Sequence, residues 1–179
     1  MSMDHFHEEV AIKKTTTLNR LVYMFSWVVM IGSAILALSL LQVVLRAFNV
    51  FYLLITLAFA AIAVCIFLFH DRLLTEYEYT FTNGSLDFAQ VFNNKKRNSL
   101  GSLNVKTVDA FGKVSSGSFQ RYLNMPGIKK MNWFLNRDAE LYYFFFSKDS
   151  IKKIIIFEPS EELVNLIKQY IPHGVYQIN

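Results

Sequence analysis

Charged residues are missing from two long stretches near the start of this 179-residue sequence. Residues 21–45 contain no Asp, Glu, Lys or Arg, and neither do residues 47–69. As α-helices these runs would extend over roughly 37 and 34 Å, enough to cross a hydrocarbon layer of about 30 Å. Because a chain in lipid must satisfy its backbone hydrogen bonds internally, each run predicts a transmembrane helix. We expect a transmembrane hairpin over residues 21–69, with helices at 21–45 and 48–69.

Proline is absent from both runs, and glycine occurs in them once, at Gly32. Substrate paths through a membrane usually show ionisable residues or breaks at Gly and Pro, so the hairpin is expected to be an anchor rather than a pore. Small residues four positions apart let membrane helices approach closely. Such pairs predict the seam between the two helices or, as the less favoured alternative, a dimer face: Ser33, Ala37, Ala61 and Cys65.

Cysteine is nearly absent too, because Cys65 is the single one, and this excludes an intrachain disulfide. The first run is longer than the apolar core of a signal peptide and a second run follows at once, which argues against cleavage. Basic residues flank the outer ends of the hairpin, whereas its loop carries Arg46 alone. This bias predicts a two-span protein of the cell membrane with both termini in the cytoplasm. The flanking basic residues are Lys13, Lys14, Arg20, Arg72, Lys95, Lys96 and Arg97.

After His70 polar and apolar residues begin to alternate, as in an antiparallel sheet. Tyr77, Tyr79 and Phe81 share one face of a predicted strand, and Asn83-Gly84 suits the type I′ turn of a hairpin. Further strands are predicted at 102–111, 119–123, 131–135, 141–146 and 151–157.

The last predicted element is an amphipathic helix with Ser160 as its N-cap, and Glu161 and Glu162 favour the positive end of its dipole. Its apolar stripe consists of Leu163, Leu166, Ile167, Tyr170 and Ile171. About seven short strands followed by one helix favour an α+β fold. In that fold a strongly bent antiparallel sheet is capped by the helix, as in pleckstrin-homology (PH) domains.

Three sequence segments resemble an uncharacterised family of small bacterial membrane proteins that carry a cytoplasmic PH-like domain. They are MDHFHEEVAIKKTT before the first run, YEYTFTNGSLDFAQVFNNKKR after the second, and IIIFEPSEELVNLIKQYIP near the end. The resemblance implies a two-helix hairpin followed by a PH-like domain over residues 72–179. It implies no activity and transfers no functional residues.

Recognisable catalytic motifs are lacking. We find no nucleophile–base pair, no phosphate-binding loop and no set of metal ligands at a usable spacing. His5 and His7 lie in a short N-terminal segment, residues 1–20, which is interpreted as cytoplasmic and solvated rather than metal-binding. We therefore expect no enzymatic activity, no cofactor and no bound metal. Nucleic-acid binding is also not expected, because no dense basic arm or known motif is present.

Two features suggest binding surfaces. Lys95, Lys96 and Arg97 form a basic turn that could contact anionic lipid, with a solvated turn as the favoured alternative. Tyr143 and Phe145 lie on the second face of a strand that is apolar on both faces, so they could contact a partner unless residues 112–130 cover them.

The sequence thus predicts a membrane-anchored PH-like binding or scaffolding module. Its partners would be the lipid bilayer and a protein, which could be a second copy of the chain. The alternative is an accessory subunit of a larger transport or envelope complex.

Overall fold

The computed structural model describes residues 5–14 and 16–177, and the chain divides into two compact units. One unit covers residues 15–75 and contains two long helices. The other unit combines residues 1–14 with residues 76–179, so segments on both sides of the helices build it. The first four residues of the predicted N-terminal segment lie outside the described part of the chain.

The helical unit consists of α1 (Thr16–Arg46), α2 (Val50–Phe69) and a short 3-10 helix (His70–Leu74). Asn49 caps α2, because its side chain accepts a hydrogen bond of 2.8 Å from the backbone N–H of Phe51. Both helices are long and apolar enough to cross a membrane by length and composition, with mean hydropathies of 2.5 and 2.7.

The two helices pack against each other along a stripe with heptad spacing, as expected for nearly antiparallel neighbours. Its members on α1 recur at alternating intervals of four and three residues: Asn19, Tyr23, Ser26, Met30, Ser33, Ala37, Leu40 and Val44.

The first sheet of the other unit has four strands in the order β1-β2-β3-β4. The strands are β1 (Phe6–Ala11), β2 (Thr75–Thr82), β3 (Ser85–Phe92) and β4 (Lys96–Asn104). The predicted hairpin turn joins β2 to β3, and both of its residues, Asn83 and Gly84, have positive φ.

β1 corrects the interpretation of the N-terminal segment as solvated. It pairs antiparallel with β2 from Phe6 opposite Thr82 to Ala11 opposite Tyr77. The helical unit is therefore an insertion between two neighbouring strands of one sheet.

The second sheet has five strands in the order β6-β8-β7-β5-β9. β8 is antiparallel to β7 and parallel to β6, and β9 is parallel to β5. The strands are β5 (Ala110–Lys113), β6 (Lys129–Trp133), β7 (Tyr142–Lys148), β8 (Ile151–Phe157) and β9 (Tyr176–Gln177).

Two predicted strands differ from the structure for local reasons. The strand expected at 102–111 is broken because the Asn104 side chain accepts a hydrogen bond from the Lys106 N–H at 3.0 Å, which starts a 3-10 turn. Residues 119–123 belong to helix α3 (Gly117–Leu123), because Phe119, Tyr122 and Leu123 follow the i, i+3, i+4 period of a helix.

The two sheets enclose one main core, which is closed by helix α4 (Glu161–Tyr170). Phe88 of β3 contacts Trp133 and Phe157 across the sheets, with ring centroids 4.7 and 5.7 Å apart. The N-cap at Ser160 is present as predicted, since its hydroxyl accepts a hydrogen bond of 3.2 Å from the Leu163 N–H.

Candidate functional site

The basic turn lies where β3 reverses into β4. Asn93 and Asn94 adopt positive φ there, and the Lys95 N–H donates to the Phe92 carbonyl at 3.0 Å. Lys96 and Arg97 begin β4 and are exposed, but the Arg97 Nε lies 2.8 Å from a carboxylate oxygen of Glu78. The three predicted lipid contacts thus lie together, and Arg97 has an anionic neighbour.

The second predicted surface is covered. Tyr143 and Phe145 are buried beneath α3, where Tyr122 stacks on Phe145 with ring centroids 4.5 Å apart. The Tyr143 hydroxyl also lies 3.0 Å from the buried Ser118 hydroxyl. Residues 112–130 therefore provide the cover, and this pair offers no exposed interaction face.

The four residues predicted for the helix seam differ in burial between α1 and α2. Ser33 and Ala37 are buried within the helical unit, whereas Ala61 and Cys65 are exposed. The less exposed side of α2 carries Thr56 and its heptad neighbours instead. A spacing of four residues identifies a pair on one helix face but does not select which face is packed.

The segment that follows β1 is held by a buried amide in the loop after β6. The Asn136 side chain accepts a hydrogen bond from the Lys14 N–H at 2.9 Å and donates to the Ile12 carbonyl at 2.8 Å. The same amide nitrogen donates to Glu158 at 2.8 Å, and the Asn136 N–H donates to the other oxygen of that carboxylate at 3.1 Å. Asn136 thus fixes the chain directly before it enters α1.

A second contact joins β1 to α4. One Glu9 carboxylate oxygen accepts a hydrogen bond from the Ser160 N–H at 2.9 Å, and the other accepts from the Ser160 hydroxyl. The His7 ring lies 3.1 Å from the same carboxylate and 3.6 Å from that of Glu162. The imidazole of His5 is 2.8 Å from the Tyr170 hydroxyl. Both histidines, which sequence reasoning left in solvent, belong to the folded unit.

Burial raises the pKa of tyrosine hydroxyls in the PH-like unit. Burial raises the pKa of the Tyr79 hydroxyl, which donates a hydrogen bond to the Trp133 carbonyl. Burial, helped by the nearby Glu140 carboxylate, raises the pKa of Tyr142 to about 12. Both hydroxyls stay protonated near neutral pH and act as structural donors.

An open cavity of about 170 Å³ lies between the sheets at the edges of β4 and β6. Its wall is mixed, with apolar side chains beside a serine and two lysines: Phe88, Leu100, Gly101, Ser102, Met131, Trp133, Phe146, Lys148, Lys153 and Ile155.

Three lysines lie near the strand ends of the second sheet, on its core-facing side and close to this cavity. Lys129 pairs with Lys153 across β6 and β8, and by alternation each lies on the same side as the apolar residue two positions further on. Lys148 follows Phe146 on β7 in the same way. None of the three has a carboxylate within 4 Å among residues 5–14 and 16–177, and we call them the inner lysines.

The fold and its elements agree with a comparison against family models. A model for bacterial PH-like domains, DUF6106, matches residues 3–177. The chain belongs to this family. The two sheets and α4 form its PH-like domain, which confirms both the resemblance and the α+β fold expected from the sequence, although nine strands are described rather than about seven. No curated protein and no solved structure matches the chain.

Sequence reasoning missed β1, Asn136 and the inner lysines as a group. β1 is an edge strand whose exposed side is the apolar one, with Phe6 and Val10 in solvent, so its pattern did not indicate a buried face. The inner lysines are separated by up to 24 positions in sequence and come together through the parallel pairing of β6 with β8 and the antiparallel pairing of β7 with β8. A period-two reading of KKMNW could have placed Lys129 on the same side as Met131 and Trp133. IKKIIIF is apolar on both faces and gives no such indication for Lys153.

Proposed function

We propose that this protein is a membrane-anchored binding module whose PH-like domain recruits a protein partner at the inner face of the cell membrane. The observation that carries the proposal is the insertion of the two apolar helices between β1 and β2. An anchor that enters and leaves a domain through adjacent strands tethers it twice.

The pairing of β1 with β2 also bears on topology. Both ends of the helical unit lead into the same sheet, so a membrane crossed by both helices must have both ends on one side. Few residues separate the strands from the helices, since β1 ends at Ala11 and β2 starts at Thr75, directly after the 3-10 helix. The excess of Lys and Arg outside the loop favours the cytoplasmic side.

Reporter fusions test this arrangement. A reporter that is active only in the cytoplasm should give signal at both the N-terminus and the C-terminus, and an export-dependent reporter should give signal only in the loop at residues 47–49. Signal from the export-dependent reporter at either terminus, or recovery of the chain in the aqueous fraction without detergent, would contradict the proposal.

Anionic lipid is the other ligand class, and the basic turn is where it would bind. Each Lys near an anionic surface contributes about 1 kcal/mol, so K95E/K96E should weaken binding to phosphatidylglycerol vesicles by about tenfold or more. The measurement uses the full chain in neutral nanodiscs, and K130E/K152E is the control with the same charge change elsewhere. Arg97 is left intact because it neighbours Glu78. Equal vesicle binding by the unmodified chain, K95E/K96E and K130E/K152E would rule out lipid as the ligand of the basic turn.

The accessory-subunit alternative makes a different prediction. Both helices expose large apolar side chains along most of their length, and these could face lipid or other membrane spans. Purification in mild detergent separates the two: a stoichiometric integral-membrane partner favours the accessory role, and a homogeneous monomer or homodimer favours the binding module. In either case the purified chain is expected to be enzymatically silent.

A further inference from the structure

We propose that the cavity between β4 and β6 binds an extended acidic segment of a protein partner, anchored by one aromatic or large aliphatic side chain. The inference rests on the proposed function and names the chemistry of the partner that the PH-like domain recruits.

The size of the cavity points to a single side chain. A drug-sized ligand normally occupies about 300–1,000 Å³, whereas a cavity of about 150 Å³ can hold one benzene ring. The cavity measures about 170 Å³ and its wall includes Phe88, Met131 and Trp133. It therefore suits one ring or branched aliphatic group and is too small for a whole small-molecule ligand.

The strands beside the cavity point to an extended peptide. β4 and β6 are the end strands of their sheets, so within the described chain each has one side without a neighbouring strand. β4 is interrupted near Gly101, where the register with β3 shifts. β6 is regular, with five consecutive residues in register with β8. A peptide strand added to the free side of β6 would satisfy open backbone groups and direct alternate side chains toward the cavity.

The charge of the rim points to an acidic sequence. Lys148 and Lys153 line the cavity, and Lys129 pairs with Lys153 on the neighbouring strand. None of the three has a carboxylate within 4 Å among residues 5–14 and 16–177. Asp or Glu residues flanking the anchor would meet this unbalanced charge, whereas a basic or neutral peptide would not.

The same strands supply a matched control. Lys130 and Lys152 are exposed and, being one position away from Lys129 and Lys153, lie on the opposite face of the sheet. K129E/K153E and K130E/K152E therefore make the same change in net charge on the same two strands, with only the first pair at the cavity.

The experiment measures binding of a peptide that carries fluorescein on its N-terminus through an aminohexanoyl spacer, fluoresceinyl-aminohexanoyl-Asp-Glu-Phe-Glu-Asp-amide, to the full chain in detergent by fluorescence anisotropy. We expect K129E/K153E to raise the dissociation constant by about tenfold or more and K130E/K152E to change it less than about threefold. Replacing the central Phe of the peptide with Ala, or methylating two alternate amide nitrogens, should each cost about tenfold. Circular dichroism melting of both variants verifies that they are folded.

Equal losses for the two double variants, or equal binding of the Phe and Ala peptides, would overturn the inference, since either would indicate nonspecific charge attraction. Binding of phosphatidylglycerol vesicles that K129E/K153E abolishes, without peptide binding, would also overturn it and assign the site to lipid. If K129E/K153E still recovers the partner stoichiometrically, the cavity is not the site but the proposed function stands. If the unmodified chain recovers no partner and binds no peptide, the proposed function fails as well.

Discussion

The two units of the chain differ in the exposure of their largest apolar side chains. In the PH-like domain the bulkiest residues are fully buried, among them Tyr79, Phe81 and Phe144. In the helical unit Phe25, Phe51 and Phe67 are among many large side chains that remain exposed. The domain buries its own apolar side chains, whereas the helices leave many of theirs exposed.

This difference shows what stabilises each unit. Monomeric soluble proteins rarely expose apolar patches larger than a few hundred Å², so the helical surface favours lipid or other membrane spans as its surroundings. The domain is stabilised instead by its aromatic core, where Phe144 stacks on Phe157 at 5.1 Å and on Phe111 at 4.7 Å. Substituting the same residue type in the two environments tests this difference, because the effect on stability or insertion should depend on the surroundings of the side chain.

The largest effect is expected from Phe144→Ala in the aromatic core. Truncating a fully buried Phe leaves a cavity and typically costs about 3–5 kcal/mol. Phe6→Ala is the matched control, because Phe6 is 62% exposed on β1 and should change stability by less than about 0.5 kcal/mol. Urea unfolding of the full chain in detergent, followed by Trp133 fluorescence in a Trp27→Phe background, measures both. Equal stability of the two variants would mean that the core is not packed as described.

Ile31→Arg on α1 distinguishes lipid from water around the helices. Ile31 is 51% exposed, and an Arg near the centre of a membrane helix costs about 2.5–3.5 kcal/mol. Ile151→Arg in the PH-like domain is the control, because Ile151 is 48% exposed and the same change in water costs about 0.5 kcal/mol or less. The fraction of chain inserted in an in vitro translation assay with microsomes is the readout. No insertion of the unmodified chain, or equal insertion of the unmodified chain and both variants, would argue against lipid around this face of α1.

Asn136→Ala tests how firmly β1 is attached. The substitution leaves the Lys14 N–H and the Ile12 carbonyl without their partner and should cost about 1–3 kcal/mol. Hydrogen exchange should accelerate in residues 6–11, while Asn132→Ala, at an exposed position of β6, leaves it unchanged. Unchanged exchange in the Asn136 variant would show that the pairing with β2 and the Glu9–Ser160 hydrogen bonds hold β1 without the Asn136 contacts.

Alkaline pH should weaken the PH-like domain gradually. The folded chain keeps Tyr79 and Tyr142 protonated above their ordinary pKa, whereas both ionise near pH 10 when it unfolds. Their contribution is complete below pH 10 and is lost as pH rises, by about 1.4 kcal/mol per pH unit for each tyrosine, up to about pH 12 for Tyr142. Tyr142→Phe should reduce this slope in urea unfolding between pH 9 and 11.5. A stability that stays constant over that range would contradict the burial of these hydroxyls.

The sequence was sufficient where the determining interactions are local. The two apolar helices, the Asn83-Gly84 turn and the Ser160 cap all follow from a few adjacent residues. The boundaries of α4 and β8 could be placed for the same reason, because Ser160 and the short apolar run in IKKIIIF each act within one element.

The parts that could not be predicted depend on contacts between distant residues. β1 pairs with a strand about seventy positions away, and its neighbour along the chain is a helix rather than a turn. The cavity exists because β4 and β6 end two different sheets beside each other, and no sequence period encodes that meeting. Phe119 shows a third limit, since five residues with mixed polarity fit a strand and a helix equally well.

A disulfide between β1 and β2 tests the central claim that the two helices are inserted between neighbouring strands. Glu8 and Thr80 are opposite each other in the pairing, so Glu8→Cys/Thr80→Cys in a Cys65→Ala background places two thiols across it. A protease site is introduced in the loop at residues 47–49, and the purified protein is oxidised and cleaved. The account predicts that the two fragments migrate together without reductant and separate with it. A Glu8→Cys/Thr107→Cys control, whose cysteines are not opposite each other in the pairing, should give fragments that separate under both conditions. The same separation for Glu8→Cys/Thr80→Cys would show that β1 does not join the sheet.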